Sequence, residues 1–409
     1  MAKIQLSKRF LQIPESPIRK LVPLAASAIN KGVKVLYFNI GDPDIETPGV
    51  MLKVLHKWRK NPIAYSRSHG EPELLAALKK YYHRLGFPFI EEGHLLVTLG
   101  GSEAISMATL AVTEYGDEIL TFEPFYTNYN SYAAVNGIKI IPVKTQARNG
   151  FHLPPANVIE KKISKKTKAI LYCNPNNPTG TVYSQKEVEI LVSLAKKHGL
   201  FLISDEVYRE FVFDGKKHVS ILQFFQEIPD QAILVDSLSK RYSLCGARIG
   251  LISSLNKNLM SGVMCIAQGR LSAGLIDQTM AAQLTQVPKS YFLKVHQEYQ
   301  KRRDVLYRGL KSIPGVTVRR PEGAFYCVAG LPVKDSEDFC RFLLTDFNHH
   351  GETIMIAPAA GFYASPGLGM NEVRIAYVVN TSSIKKLIVI LRAALLEYKK
   401  SRSRVVNRA

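Results

Sequence analysis

The 409-residue chain has few cysteines and no long hydrophobic segment, and both absences restrict what it can be. Its five cysteines are odd in number, widely spaced and form no CxxC pair, so we expect no disulfide framework and a reducing, cytoplasmic location. No apolar run reaches the roughly 18 residues that a membrane-spanning helix requires. The first twenty residues contain no continuous apolar stretch, so we expect neither a membrane anchor nor a secretion signal.

Acidic residues are also scarce, because 34 aspartates and glutamates stand against 54 lysines and arginines, a formal net charge of +20. Such a balance is compatible with nucleic acid, with anionic small molecules, or with a basic surface that keeps a protein soluble. The basic residues are spread along most of the chain, and we interpret the one dense run, residues 399–409, as a frayed end. We therefore favour a solvated surface and expect no nucleic-acid partner.

The order of the segments predicts an α/β protein with two domains. Short apolar strands alternate with helical segments over most of the chain, which is typical of a largely parallel sheet covered by helices on both faces. Past about residue 290 a basic helix leads into alternating segments of α+β character. We predict a large domain over 46–290 and a smaller one formed by 1–45 and 291–409. Within the large domain, we expect Ser102 to be the N-cap of a helix.

Polar clusters recur at one kind of place, directly after an apolar strand. They are Gly101–Ser102, residues 174–180, Asp205–Tyr208 and Ser237–Lys240. Open parallel sheets bind ligands at the carboxyl ends of their strands. The four clusters, although distant in sequence, can therefore converge on one ligand.

Each cluster allows a functional and a structural interpretation. The glycine pair before a helix offers free N–H groups to an anion, or it makes a tight turn. Ser237, Ser239 and Arg248 suit a phosphate, or they cap a loop and form a surface ion pair. Lys240 is one of 54 basic residues, but its position after an apolar strand and near Arg248 favours a nucleophilic amine.

Four further residues allow the same two kinds of interpretation. Asp205 ends a buried strand and needs a partner, with Tyr208 three residues on, although a helix N-cap and a core tyrosine are the simpler interpretation. Asn177 either directs its amide to a ligand or holds the turn of "NPNNPTG". Arg374 in "EVRIAYVV" is either an exposed strand arginine paired with a neighbour or a two-pronged clamp on a carboxylate.

Taken together, the motifs "NPNNPTG", "SDEVYREF", "SLSKRYSLCGARIG" and "RIAYV" resemble those of class I aminotransferases of the pyridoxal-phosphate fold type I superfamily, in order and approximate spacing. The resemblance covers nearly the whole chain. It implies a large domain with a mostly parallel, seven-stranded type of sheet, a smaller α+β domain, pyridoxal 5'-phosphate as cofactor, no metal, and a homodimer with shared active sites.

The resemblance also implies a role for individual residues. Lys240 resembles the lysine that binds the cofactor covalently, and Asp205 the carboxylate that keeps the pyridine nitrogen protonated. Tyr208 and Asn177 resemble the donors to the ring's phenolic oxygen. Tyr126 falls where the family stacks an aromatic side chain on the ring, in many members a tryptophan.

The resemblance also implies which residues contact the cofactor's phosphate and the substrate. The residues on the phosphate side are Gly101, Ser102, Ser237, Ser239 and Arg248. Tyr65 matches a tyrosine that the family supplies to the phosphate of the neighbouring subunit. Gly41 and Arg374 match the groups that hold the substrate α-carboxylate.

The implied reaction is ping-pong transamination, an activity of amino acid metabolism. The segments "ESPIRKLVPLA" and "PAAGFYASPGLG" resemble bacterial aspartate aminotransferases, so we expect aspartate and 2-oxoglutarate as substrates. Arg270 falls roughly where some of those enzymes hold the second carboxylate; it is alternatively an interface ion pair, and Arg19 is the other candidate for the carboxylate.

Three alternatives remain open. One is an aminotransferase of broader, aromatic or alanine specificity, and another is a different reaction on the same cofactor, by a C–S lyase or a decarboxylase. A non-enzymatic DNA-binding regulator is the third. It would need a helix-turn-helix domain, for which we expect no room in the roughly forty residues before "NIGDPD".

Overall fold

The computed structural model of the protein describes residues 5–406. The α-helices of this part are α1 (Lys8–Gln12), α2 (Val22–Asn30), α3 (Gly49–His56), α4 (Pro72–Arg84), α5 (Gly100–Val112), α6 (Asn128–Asn136), α7 (Ala156–Glu160), α8 (Gln185–His198), α9 (Leu238–Arg241), α10 (Lys257–Arg270), α11 (Leu275–Ala281), α12 (Lys289–Lys311), α13 (Ser336–Thr345) and α14 (Thr381–Val406). Its strands are β1 (Lys34–Tyr37), β2 (Leu95–Leu99), β3 (Glu118–Glu123), β4 (Lys139–Lys144), β5 (Thr167–Cys173), β6 (Phe201–Asp205), β7 (Ala232–Ser237), β8 (Ile249–Ser253), β9 (Thr317–Val318), β10 (Tyr326–Gly330), β11 (Glu352–Met355), β12 (Ala357–Pro358) and β13 (Glu372–Ala376).

The largest sheet has seven strands in the order β2-β8-β7-β6-β5-β3-β4. All neighbours are parallel except β8, which runs antiparallel to both β2 and β7. Because β8 is reversed between them, β2 points the same way as β7, and the carboxyl ends of β2, β5, β6 and β7 lie on one edge. The predicted α/β fold with a mostly parallel seven-stranded sheet is confirmed.

Helices cover both faces of this sheet, as the continuous apolar strands predict. Successive residues of one strand face opposite ways: Ile170 packs in the layer that holds α4 and α8, and Leu171 in the layer that holds α5, α6 and α10. Both side chains are almost completely buried. Burying an aliphatic side chain of this size stabilises the fold by about 1.5–3 kcal/mol.

The turn from β2 into α5 differs from the prediction. The helix begins at Gly100, and no side chain caps its N-terminus, so the assignment of Ser102 as the N-cap was wrong. Gly100 has a φ of +77°, a backbone conformation that glycine adopts without strain, and this lets the strand pass directly into the helix. The N–H of Leu99 is satisfied instead by the carboxylate of Glu103 at 2.7 Å.

A second group of elements contains a four-stranded antiparallel sheet, β12-β13-β10-β9, and the parallel pair β1–β11. The core around them includes residues of α2, α12, α13 and α14. Lys34 pairs with Glu352, so the N-terminal strand lies beside a C-terminal one. The domain boundaries remain a prediction, with the large domain over 46–290 and the smaller one formed by 1–45 and 291–409. A smaller domain built from both ends of the chain requires contacts such as the pairing of β1 with β11.

The described residues contain neither a candidate membrane span nor a candidate metal site. Across residues 5–406, none of the helices is both long and apolar enough to cross a membrane. In the same part of the chain, His, Cys, Asp and Glu side chains form no group of three or more that could hold a metal ion.

Candidate active site

A cavity of about 810 Å³ opens at the edge of the large sheet where β2, β5, β6 and β7 end. The strand β13 and the segment after β1 close it from the other side. Twelve of the residues predicted from the sequence line this cavity: Gly41, Gly101, Ser102, Tyr126, Asn177, Asp205, Tyr208, Ser237, Ser239, Lys240, Arg248 and Arg374. The fold therefore brings the separate motifs to one place, and the role of each residue stays a prediction.

Lys240 lies in the one-turn helix α9, directly after β7. The hydroxyl of Ser237 accepts the N–H of Ser239 and so caps this turn. The Nζ of Lys240 donates to the carbonyl of Gly41 at 2.8 Å and contacts Cys245 Sγ at 3.4 Å. Among the described residues, no carboxylate lies within ion-pair distance of this amine, so it is held by neutral groups and faces the cavity.

Arg248 and the start of α5 form one wall of the cavity. A side chain at position 100 would place its Cβ 2.7 Å from Arg248 Nη2, so glycine leaves the room that the guanidinium occupies. Arg248 donates to two backbone carbonyls and has no acidic partner in the described part of the chain. Ser237 lies beside the same wall, 3.6 Å from where a Cβ of Gly101 would be. A guanidinium, hydroxyls and a helix N-terminus together form an anion site.

Asp205 ends β6 with only 3% of its surface exposed. Its carboxylate accepts the hydroxyl of Tyr129 at 2.7 Å and, at 3.4 Å, the N–H of Val207. Burial raises the pKa of Asp205 to about 6, against the opposing effect of these hydrogen bonds. No cationic side chain of the described chain pairs with it. A ligand that brings a positive charge would therefore favour its ionised form.

Arg374 is almost completely buried, with 1% exposed. Its Nη1 donates to Asn177 Oδ1 at 3.0 Å and its Nη2 to the carbonyl of Asn39 at 2.5 Å, while Nε has no partner. Glu372 instead accepts the hydroxyl of Tyr363, so the alternative of an exposed arginine paired with its strand neighbour is wrong. Burial lowers the pKa of Arg374. A buried cation with no counter-ion is a binding group for a carboxylate.

Three tyrosines complete the wall near Arg374: Tyr126, Tyr208 and Tyr326. The hydroxyls of Tyr208 and Tyr326 are 3.1 Å apart, and burial raises the pKa of Tyr208 well above its usual value. Tyr126 is half-buried, and its hydroxyl accepts from Asn128 at 2.9 Å. Both Tyr208 and Tyr126 therefore face the cavity as neutral hydrogen-bonding groups.

Two predicted residues do not line this cavity. Arg270, at the end of α10, donates to the carbonyl of Val97 at 2.9 Å and lies 3.4 Å from the carboxylate of Glu103. Tyr65 is 84% exposed on the surface of its own chain. Arg19, the alternative to Arg270, does line the cavity, and its side chain has no hydrogen-bond or ion-pair partner among the described residues.

Two residues that shape the site, Tyr129 and Tyr326, were not predicted from the sequence. Tyr129 lies in the first turn of α6, which begins at Asn128, and its hydroxyl reaches the carboxylate of Asp205. Tyr326 lies in "GAFYCVAG" and reaches the site because β10 pairs with β13. That pairing brings together segments almost fifty residues apart, and the local sequence carries no sign of it.

One cavity thus combines four groups: an amine without a carboxylate partner, an anion site, a buried carboxyl group and a buried guanidinium. Such a combination suits an enzyme that reacts amino acids with a bound anionic cofactor. The sequence model described as aminotransferase class I and II matches residues 33–391, and the chain belongs to that family. It is therefore an aminotransferase, which moves an amino group between an amino acid and a 2-oxo acid, and its family depends on pyridoxal phosphate. The predicted class is confirmed.

Individual relatives agree with this assignment. The chain is 29% identical over 404 residues to a probable aspartate/prephenate aminotransferase of Aquifex aeolicus, covering 96% of this chain and 99% of that protein. Among solved structures it resembles a single mutant of Thermus thermophilus aspartate aminotransferase, with a TM-score of 0.85, 25% identity and 96% and 100% coverage. An alanine aminotransferase from Pyrococcus furiosus gives a TM-score of 0.86 at 28% identity, with the same coverage.

Proposed function

We propose that the protein binds pyridoxal 5'-phosphate in this cavity through Lys240 and transfers the amino group of L-aspartate to 2-oxoglutarate. The observation that carries the proposal is the unpaired state of the cavity's charged groups. Lys240, Arg248 and Arg374 lack a carboxylate among the described residues, and Asp205 lacks a cation. Each group is complementary to one part of the cofactor or the substrate.

The residues present fit the cofactor. Arg248 and the hydroxyls of Ser237 and Ser239 would hold its phosphate, with Gly101 and Ser102 at the start of α5. Asp205 would lie against the protonated ring nitrogen, whose positive charge would lower the raised pKa of this carboxyl. The hydroxyl of Tyr208 and the free amide N–H of Asn177 would donate to the ring oxygen, and Tyr126 would pack on the ring.

When bound, pyridoxal phosphate supplies an electron-withdrawing ring that makes the substrate Cα–H acidic. The chain's own residues do the rest. The amine of Lys240, once free, moves the proton at Cα as a general base and returns it as a general acid. Arg374 holds the α-carboxylate with the help of the Gly41 backbone, which fixes which Cα bond faces Lys240.

The substrate class rests on a second cation. Arg374 is used on the α-carboxylate, so a dicarboxylic substrate needs another positive group at the cavity. Arg19 lines the cavity without a partner, whereas Arg270 is bonded to Val97 and Glu103. We therefore assign the side-chain carboxylate to Arg19. The names of the Aquifex and Thermus proteins support aspartate, and that of the Pyrococcus protein supports alanine as the competing substrate.

We also propose a cytoplasmic homodimer. The exposure of Tyr65 supports this, because an 84% exposed aromatic side chain beside the apolar Ile63, itself 59% exposed, is suited to burial against a second copy. In such a dimer Tyr65 would donate to the phosphate in the neighbouring subunit.

A substrate screen on purified protein tests the function. We expect a yellow protein that converts aspartate and 2-oxoglutarate to oxaloacetate and glutamate, faster than it uses alanine or phenylalanine. With L-cysteine added to the screen, release of pyruvate, ammonia and hydrogen sulfide would indicate a C–S lyase, and release of carbon dioxide from C1 of any donor would indicate a decarboxylase. Equal rates with all donors would show that the enzyme has broad specificity and no preference for aspartate. Absence of every one of these products would overturn the proposal.

A further inference from the structure

We infer that Tyr326 is a positioning residue that links the two halves of the site: its ring fixes the guanidinium of Arg374, and its hydroxyl orients that of Tyr208. The inference rests on the proposed function of the cavity and concerns a residue to which neither the sequence motifs nor the family resemblance gave a role. Tyr326 is buried, with 3% exposed, and lines the cavity.

The ring of Tyr326 covers one face of the Arg374 guanidinium, with 4.3 Å between the guanidinium carbon and the ring centre. Phe362 lies on the same guanidinium at 4.9 Å. The aromatic contacts stabilise a cation that has no counter-ion, since a ring face attracts positive charge. They also restrict the plane in which the guanidinium can lie, which sets the direction of its free N–H group.

The sheet holds Tyr326 in this place. In the pairing of β10 with β13, Tyr326 is opposite Ala376 and Val328 is opposite Arg374. Tyr326 and Arg374 are therefore diagonal neighbours on the same face of the sheet, a relation that long and aromatic side chains can bridge. Their contact is set by backbone hydrogen bonds and does not depend on a flexible loop.

The hydroxyl end of Tyr326 is equally confined. It lies 3.1 Å from the hydroxyl of Tyr208, and a Cβ on Gly41 would come within 1.8 Å of it. Gly41 is also the residue whose carbonyl accepts from Lys240. A side chain at position 41 would displace Tyr326. Glycine at this position therefore leaves room for the Tyr326 hydroxyl, in addition to its proposed contact with the substrate.

The two hydroxyls can act in sequence. If the proton of Tyr208 is used on the cofactor's ring oxygen, the oxygen of Tyr208 is left to accept the proton of Tyr326. Successive hydrogen bonds polarise one another, so Tyr326 makes Tyr208 a stronger donor. A stronger donor favours the form in which the ring oxygen carries negative charge, and this lowers the pH at which the bound cofactor's absorbance changes.

Two variants of the holoenzyme separate the ring from the hydroxyl. Tyr326→Phe keeps the ring, so the dissociation constant of succinate, measured by calorimetry, should stay within about twofold of wild type. In this variant the pH midpoint of the cofactor's absorbance change should rise by a few tenths of a unit. Tyr326→Leu also removes the ring, and succinate should bind about 3- to 30-fold more weakly.

Matched controls come from elsewhere in the chain. Tyr172→Phe removes a buried hydroxyl that has no partner, and Phe213→Leu removes a ring from the buried Arg303, 4.9 Å away, outside the cavity. Neither should move the succinate affinity or the pH midpoint. They show what the loss of a buried hydroxyl or ring does by itself.

The outcomes separate this inference from the proposed function. If wild type binds no pyridoxal phosphate, the proposed function fails. If wild type binds it and Tyr326→Leu binds succinate as wild type does, or Tyr326→Phe weakens succinate as much as Tyr326→Leu, the positioning role of the ring is overturned. Should Tyr326→Leu fail to fold, Tyr326→Phe decides alone, and an unchanged pH midpoint overturns the coupling to Tyr208.

Discussion

Two groups of buried charges adjoin each other in the sequence at Asp205 and Glu206, and their surroundings in the fold are opposite. In the ionic cluster, formed by Glu206, Arg209, His218, Asp236 and Arg241, each carboxylate and each guanidinium lies within ion-pair distance of an opposite charge. Arg241 donates to Asp236, Arg209 lies 3.7 Å from the same carboxylate, and His218 bonds Glu206 at 2.8 Å. In the cavity, the buried charges of Asp205 and Arg374 have no opposite charge in the described chain.

The contrast is sharpest between two consecutive residues. Burial raises the pKa of Asp205 to about 6. Burial also acts to raise the pKa of Glu206, but the charge of His218 and the hydrogen bonds around Glu206 lower it to about 2. The ionic cluster therefore satisfies its buried charges within the fold, whereas the cavity keeps charges at a cost in stability that a ligand can offset.

The largest effect is expected at Lys240, where the cavity's amine lies. Lys240→Ala should lower turnover by at least about 10²–10⁴-fold, because the general base at Cα is lost. In wild type, borohydride should abolish the absorbance of the cofactor and leave a reduced adduct on the Lys240 peptide, found by mass spectrometry. An adduct on another lysine would contradict the assignment.

The next effect concerns the ionic cluster. Asp236→Asn removes the carboxylate to which the buried Arg241 donates and leaves it, among the described carboxylates, only Glu210, 4.0 Å away, so the free energy of unfolding should fall by about 3–5 kcal/mol. Urea denaturation of the apoprotein at pH 7 measures this change. A loss below about 1 kcal/mol would mean that the ionic cluster is as dispensable as a surface ion pair and would remove the basis of the comparison.

Removing the charge of Asp205 should change the free energy of unfolding in the opposite direction. Its raised pKa favours the protonated fold, so the apoprotein should lose stability as pH rises from about 4 through about 6. Asp205→Asn removes the buried charge and should stabilise the apoprotein at pH 7 by about 1–3 kcal/mol, while turnover falls. The same denaturation series, run at pH 4 and pH 7, measures it. A destabilised Asp205→Asn apoprotein would place Asp205 with the ionic cluster.

A smaller effect should distinguish Arg19 from Arg270. Losing a hydrogen bond to a charged group costs about 1.5–3 kcal/mol. Arg19→Ala should therefore lower the ratio of kcat/KM for aspartate over phenylalanine on the order of 10- to 100-fold, with Arg270→Ala as the control that leaves this ratio unchanged. The ratio cancels a general loss of folded protein. A reversed result would restore the prediction made for Arg270.

The smallest change concerns the subunit boundary. A mixture of Tyr65→Phe and Lys240→Ala proteins should form hybrid dimers in which one site is free of both changes, if Tyr65 serves the neighbouring subunit. Activity above that of either parent is expected once exchange of subunits is verified by native mass spectrometry. Exchange without any gain would place Tyr65 in its own subunit's site or outside both.

The sequence predicted the position of a residue where its neighbours along the chain determine that position, and failed where distant segments determine it. Asp205 and Lys240 come directly after apolar runs, so their place at the carboxyl edge of a parallel sheet was predictable. The burial of Arg374 was not, because Asn39 and Tyr326, which contact it, come from distant segments, and the turn that brings Phe362 onto it carries no local signal. Spacing after Lys240 suggested Arg270, but α10 carries that residue to Val97 on β2 and away from the cavity.

The pairing of β1 with β11 has a consequence for how the protein is made. Lys34 and Glu352 are 318 residues apart, whereas the seven-stranded sheet is contained within residues 95–253. At synthesis rates of about 5–20 residues per second, β1 waits roughly 15–65 s for its partner strand to leave the ribosome. The large sheet can form during that time. The cavity needs Gly41 from near one end of the chain and Arg374 from near the other, so it cannot be completed until most of the chain has been synthesised.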